Sequence, residues 1–180
     1  MRPIKLLSIL ALTLLICTSC EKEEPSQIVF FSKDQLKKNL SVNVNDTEGS
    51  TASINSNTLI ELNSSKVFKE NIHYLQDVEV EAFNFKIKNF QGKPCAQISE
   101  IKVYVDEIRI TEKDLSLNFL DVMSSSIEFK INNQEILAAI SSKLLQKKQV
   151  VVSYYSDAVS EELFNFDLEF NLTTKGTFVD

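Results

Sequence analysis

Few side chains in this sequence are equipped for chemistry. There is one histidine, His73, in Asn71-Ile72-His73-Tyr74, and there are three cysteines, Cys17, Cys20 and Cys95. A Ser/His/Asp or Cys/His site would have to be built on His73, and no G-x-S-x-G or cysteine context accompanies it. So few imidazoles and thiols also leave no His/Cys metal set. Glycine occurs only at Gly49, Gly92 and Gly176, so neither a P-loop nor a dinucleotide-binding turn can be assembled. Adjacent carboxylates at Asp106-Glu107 and Glu161-Glu162 are of the type used in glycoside hydrolysis, which needs two across a cleft. In an acidic chain such neighbours read first as solvated surface. No catalytic residue, metal ligand or cofactor is expected, and His73 is expected at a helix end or loop.

The strongest spacing lies at the start. Arg2 and Lys5 form a short positive region, Leu6 to Ile16 is an apolar run, and Cys17-Thr18-Ser19-Cys20 leads into Glu21-Lys22-Glu23-Glu24. The apolar run is the length of a signal core and too short to span a bilayer, which takes roughly 20 residues. Thr18, Ser19 and Cys20 resemble the lipobox of bacterial lipoproteins processed by signal peptidase II. Cys17 stands where the family usually has Leu. The resemblance implies that residues 1–19 are removed, that Cys20 carries the lipid, and that residues 20–27 are a tether. Each buried methylene of such an anchor is worth roughly 0.8 kcal/mol, and two chains hold stably where one does not. Lys22, Glu23 and Glu24 resemble the export signal of surface lipoproteins in Bacteroidota-type bacteria. This implies an outer-membrane address facing the cell exterior, with the membrane engaged through Cys20.

Composition narrows the class of partner. Nineteen basic residues against 25 acidic ones give a formal charge of −6, which becomes −8 once Arg2 and Lys5 leave with the signal. That balance argues against nucleic-acid partners, which select basic faces, and against an electrostatic grip on anionic lipid. With Cys20 acylated, Cys95 has no intramolecular disulfide partner. It reads as a small buried residue, and residues 28–180 must be stabilised by one core.

The elements that would position any site are mainly β. Phe164, Phe166, Leu168, Phe170 and Leu172 alternate with Asn165, Asp167, Glu169 and Asn171, which predicts a strand with one buried face. Ile127, Phe129 and Ile131 repeat the pattern, as do Ile101, Val103 and Val105. Val150 to Tyr155 suits a strand buried on both faces. Between Asp77 and Phe90 the apolar set shifts from even to odd positions, which predicts a bulge near Ala82-Phe83. A second phase change at Asp106-Glu107 predicts a bulge or tight turn. Val42 and Val44, then Gly49, then Ala52 and Ile54 predict a hairpin. Its oxygen-rich Asn43 to Gly49 segment lacks the closing bidentate Glu of a calcium loop. Ile136, Leu137, Ile140, Leu144 and Leu145 predict a helix started by Asn132-x-x-Glu135. Ser32-x-x-Gln35 predicts a shorter one to about Leu40. Ser124 to Ser126 reads as a loop. The sum is a two-sheet antiparallel β-sandwich, of which the immunoglobulin type is one form, with one or two short helices.

Twelve Phe and four Tyr with no Trp supply the core first. Tyr154 and Tyr155 must point to opposite faces of their strand and are the candidate contacts for a protein or glycan partner. The expected role is a surface lipoprotein that binds, adheres or assembles without catalysis. The alternatives are a carrier of a small apolar ligand between the sheets, lined by Phe83, Phe85, Phe129 and Phe166, and, lower, a carboxylate hydrolase.

Overall fold

The computed structural model describes residues 28–93, 96–111, 115–118 and 127–180. The expected lipidation at Cys20, the export residues Lys22, Glu23 and Glu24, Cys95 and the Ser124–Ser126 loop lie outside them. The described strands are β1 (Val29–Val44), β2 (Ala52–Glu61), β3 (Leu75–Gln91), β4 (Gln97–Val105), β5 (Ile108–Arg109), β6 (Leu115–Asn118), β7 (Ile127–Ile131), β8 (Gln149–Val159) and β9 (Phe164–Val179). The helices are α1 (Lys66–Asn71) and α2 (Gln134–Lys147). One sheet has the order β1-β9-β3-β7; the other runs β2-β8-β4, with β5 and β6 both paired to the far side of β4. Every pairing is antiparallel.

This is the expected two-sheet antiparallel sandwich, in the strand order of a jelly roll. The immunoglobulin order, which sets its first strand beside its second, is not adopted: β1 pairs with β9, the last strand. Most consecutive strands lie in opposite sheets, so chain segments arch across the core. The stretch around Gly49 is therefore not a hairpin. It is a turn between sheets, with β1 laddered to β9 and β2 to β8.

β9 buries every second residue along its length, as its alternation requires. Phe164, Phe166, Leu168, Phe170 and Leu172 share one buried core with Phe83, Phe85 and Ile87 of β3 and with Val103, Val105, Val152 and Tyr154 of the other sheet. Phe83 stacks on Phe170 with centroids 6.4 Å apart, and Phe85 stacks on Phe129 at 4.7 Å. Burying each such ring stabilises the fold by about 1.5–3 kcal/mol. In β3 the register slips between Val80 and Ala82. The bulge lets Val78 and Val80 face the core before it and Phe83, Phe85 and Ile87 after it.

Two other expectations fail. Residues 32–40 are strand, not helix. Pairing with β9 along Val29–Val44 overrides the cap-like Ser32-x-x-Gln35, and the inward positions are partly polar: Ser65 Oγ donates to Asp34 Oδ2, and Thr174 Oγ1 to the Asp34 carbonyl at 3.2 Å. β8 is buried on one face only, because Val151 and Tyr155 reach solvent. The phase change at Asp106-Glu107 is a two-residue turn, with Val105 opposite Ile108 and Asp106 at φ 51°.

α2 follows its predicted stripe, with Leu137, Ile140 and Leu144 buried. Its cap is Asn133, one residue later than expected: Asn133 Oδ1 accepts from the Glu135 N–H at 3.0 Å and the Ile136 N–H at 3.3 Å. β7 pairs β3 only from Phe83 to Ile87. α2 packs against β3 and covers the edge that β7 leaves open, where the Val80 N–H donates to Ser141 Oγ at 2.8 Å. Among the described residues no helix is long and apolar enough to cross a membrane.

Candidate binding face

The outer faces of the two sheets differ in chemistry. On the β1-β9-β3-β7 sheet many outward side chains are charged and paired across strands, with an apolar end at Val29 and Phe31. Lys33 pairs with Glu81, Lys88 with Glu169 at 2.5 Å, Lys86 with Glu128 at 3.8 Å and Lys175 with Glu79 at 3.9 Å. Asp167 accepts from Ser41 Oγ at 2.6 Å and Asn89 Nδ2 at 2.8 Å. Those two bonds hold its carboxyl below the ordinary range, and Lys88 does the same for Glu169. Along these pairs the face has little left to offer a polar ligand.

The β2-β8-β4 face mixes rings, amides and hydroxyls with a smaller number of charges. Alternation in β8 sends Ser153, Tyr155 and Asp157 outward. In β2 it exposes Ser53, Asn55 and Asn57. β4 enters through a register shift between Ser99 and Lys102, with Glu100 in the left-handed region at φ 53°. Past that shift Ile101 and Val103 point inward and Lys102 and Tyr104 outward. Pairing then sets Tyr155 between Asn55 and Lys102, and Ser153 between Asn57 and Tyr104. Tyr104 meets Tyr155 edge-on, with centroids 5.7 Å apart and planes at 88°. Tyr155, with 39 % of its surface exposed, presents a ring to solvent in a shallow cleft of about 470 Å³ lined also by Lys102, Tyr104 and Asp106.

Asp106 closes one end of the cleft. It accepts from the Val151 N–H at 3.0 Å and pairs with Lys147 Nζ at 3.0 Å. Partial burial pushes its pKa up, but the Val151 N–H and Lys147 outweigh that and leave it below the ordinary carboxylate value. Lys102 is held by Glu100 at 3.0 Å. The groups in this cleft hydrogen-bond, ion-pair and stack.

The candidate pair of tyrosines divides. Tyr155 is on this face, whereas Tyr154 is fully buried against Phe166, with centroids 6.0 Å apart, and is withdrawn as a surface contact. Burial drives the Tyr154 hydroxyl well above the ordinary tyrosine range, only partly offset by the Ser156 hydroxyl. Sequence reasoning missed Tyr104, Asn55 and Asn57, because strand pairing alone makes them neighbours of Tyr155. His73 sits exposed in the turn after α1. Glu107 pairs with Lys143 at 3.3 Å, and Glu162 with Lys93. Among the described residues, no three His, Cys, Asp or Glu side chains converge as metal ligands. Phe83 and Phe166 are packed in the core. Phe85 and Phe129 also border an open groove of about 460 Å³ with Ile110 and Ile136.

No protein-family model matches the chain. No curated protein matches it either. Among solved structures it is similar to the decameric BFDV capsid protein, at 9 % identity and TM-score 0.49, covering 82 % of this chain and 99 % of that one. It is also similar to desmodium yellow mottle tymovirus, at 12 % identity and TM-score 0.44 over 86 % and 83 % of the two chains. A third is turnip yellow mosaic virus, at 9 % identity and TM-score 0.41 over 87 % and 84 %. Likeness this distant carries no argument about what the chain does.

Proposed function

We propose that this chain is a lipid-anchored protein of the bacterial outer membrane, displayed toward the exterior, whose domain binds a protein or glycan partner without catalysis. Two independent features support the reading. Thr18-Ser19-Cys20 followed by Lys22-Glu23-Glu24 supplies anchor and address. The asymmetry of the sandwich supplies the binding face, and this is the observation that carries the function. One outer face neutralises itself with ion pairs, while the other offers the Tyr155 ring flanked by Asn55, Asn57 and Lys102. An exposed ring with amide and hydroxyl neighbours suits the apolar face and hydroxyl rim of a sugar, or the backbone and side chains of a peptide.

The anchor is tested by feeding labelled fatty acid to cells carrying the wild type or Cys20→Ala. Label and membrane association both disappear in the variant if the reading holds. The binding face is tested by capture of glycans and surface proteins on whole cells, comparing wild type with Tyr155→Ala. Equal capture by the two would remove this face from the function.

A second reading, a carrier of a small apolar ligand, is favoured by one feature only, the groove of Phe85, Ile110, Phe129 and Ile136. Displacement of a fluorescent fatty acid that is blocked by Ile136→Glu and untouched by Tyr155→Ala would select it.

A further inference from the structure

The apolar surface of the domain is concentrated at one pole, and it is the pole where the tether enters. Of the seven large apolar side chains exposed among the described residues, four are Ile28, Val29, Phe31 and Tyr74, with Ile28 and Phe31 each 63 % exposed. Pairing gathers them. Ile28 and Asp180 exchange backbone hydrogen bonds at 3.3 and 3.0 Å, Val29 lies opposite Val179, and the Val179 N–H donates to the Tyr74 carbonyl at 2.9 Å. Phe31 follows Val29 on the same outward side of β1. Phe30 and Phe178 stack behind the patch at 4.9 Å, so its backing is rigid. Lys175 Nζ sits 5.3 Å from the Phe31 ring centroid, and Lys33 is its cross-strand neighbour. Those lysines pair with Glu79 and Glu81, and Asp77 and Asp180 lie close by in the ladder and at its end. The rim is therefore mixed in charge, and any docking here has to be driven by the apolar tip.

We infer that this pole docks into the lipid interface, with Ile28, Val29, Phe31 and Tyr74 seated among the headgroups and upper acyl chains. The inference rests on the proposed acylation of Cys20. Seven residues, 21–27, separate Cys20 from Ile28, and such a link spans at most roughly 28 Å. The sixteen residues of β1 extend roughly 50 Å at the usual strand rise. The tether thus holds this pole at the bilayer, while the opposite pole, with the turn at Gly49 and Leu163, can stand well clear of it. Aromatic rings with lysines behind them are the side chains that settle at a membrane–water interface. The contact gives the anchor a second, weaker grip and fixes which end of the sandwich faces outward.

The chain contains no Trp, so a single introduced indole reports its own surroundings. The full chain carrying Phe31→Trp is purified with its anchor and placed in phosphatidylethanolamine/phosphatidylglycerol vesicles whose acyl chains bear bromine. Leu163→Trp serves as the comparison at the far pole. Docking predicts a blue-shifted Phe31→Trp emission quenched several-fold more strongly than that of Leu163→Trp. An acylated, vesicle-bound protein with equal or no quenching at both positions overturns the docking and leaves the anchor standing. A blue shift without bromine quenching assigns the patch to a second protein copy and also overturns it. Mass spectrometry of the same material reads acylation separately. If the acyl group is absent, the anchor reading falls. Quenching of the Phe31→Trp indole on mixing with vesicles would still uphold the patch as a lipid contact, and its absence would overturn both.

Discussion

At the residue scale, two buried positions show how alternation and packing part company. Tyr154 was legible as a strand residue, but not as one whose hydroxyl is buried with no hydrogen-bond partner of adequate geometry among the described residues. An unpaired buried hydroxyl costs about 1–3 kcal/mol. Tyr154→Phe is therefore expected to leave stability unchanged or raise it by up to about 1 kcal/mol, whereas Tyr154→Ala should lose about 3–5 kcal/mol by opening a cavity; urea denaturation followed by circular dichroism separates the two. Gly176 is the reverse case. It occupies an inward position of β9 where a Cβ would come within 2.8 Å of the Phe178 and Phe68 rings. Gly176→Ala should cost about 1–3 kcal/mol in the same assay. A neighbouring pair of rings makes that glycine necessary, and no local pattern announces it.

At the element scale, the helix and the bulge were readable because each follows from periodicity within one segment. The bulge sits at the phase change in β3, and α2 buries the stripe that its spacing defines. The role of α2 was not readable. It closes the free edge of β3 through Ser141, which accepts from the Val80 N–H and donates to the Leu137 carbonyl at 2.8 Å. Ser141→Ala keeps the helix but removes the acceptor, so the Val80 amide should exchange with solvent roughly tenfold faster, a loss of about 1.4 kcal/mol of local protection. Unchanged exchange would mean that the helix covers the edge by packing alone. Residues 32–40 of β1 depart from the expected helix for a related reason. The strand lies at the edge of its sheet, and its inward side carries Ser32 and Asp34, where a central strand would carry apolar residues.

At the scale of the whole molecule, β9 is the strand on which assembly turns. It lies between β1 and β3 and pairs with both along most of its length. A chain that stops before Phe164 should not reach a cooperative fold, because two long strands would lose their partner at once. A flat thermal transition in calorimetry would show this. The paired carboxylates set the acid limit. Asp167, through Ser41 and Asn89, Glu169, through Lys88, and Asp106, through Val151 and Lys147, all have pKa values lowered in the fold. Their contribution is fully present above the unfolded carboxylate pKa of about 4 and is lost as pH falls through the lower folded values. The melting temperature should be level above about pH 5 and fall below about pH 4. Asp167→Asn should flatten part of that fall.

Residue order alone determined the mainly β class, the faces of β9 and β7, the bulge in β3 and the stripe of α2, because each depends on spacing within a few residues of chain. Tertiary structure decided everything that depends on which strands become neighbours. It set β1 beside β9 rather than β2, turned Tyr154 inward among phenylalanines, and brought Asn55 of β2 and Lys102 and Tyr104 of β4 around Tyr155 of β8. It also collected Ile28, Phe31 and Tyr74 at one pole. The reason is that alternation tells a side chain which face of its own strand to take, but carries no information about the strand across the ladder. That choice is made by the joint burial of distant segments, and both surfaces proposed to act here are built from it.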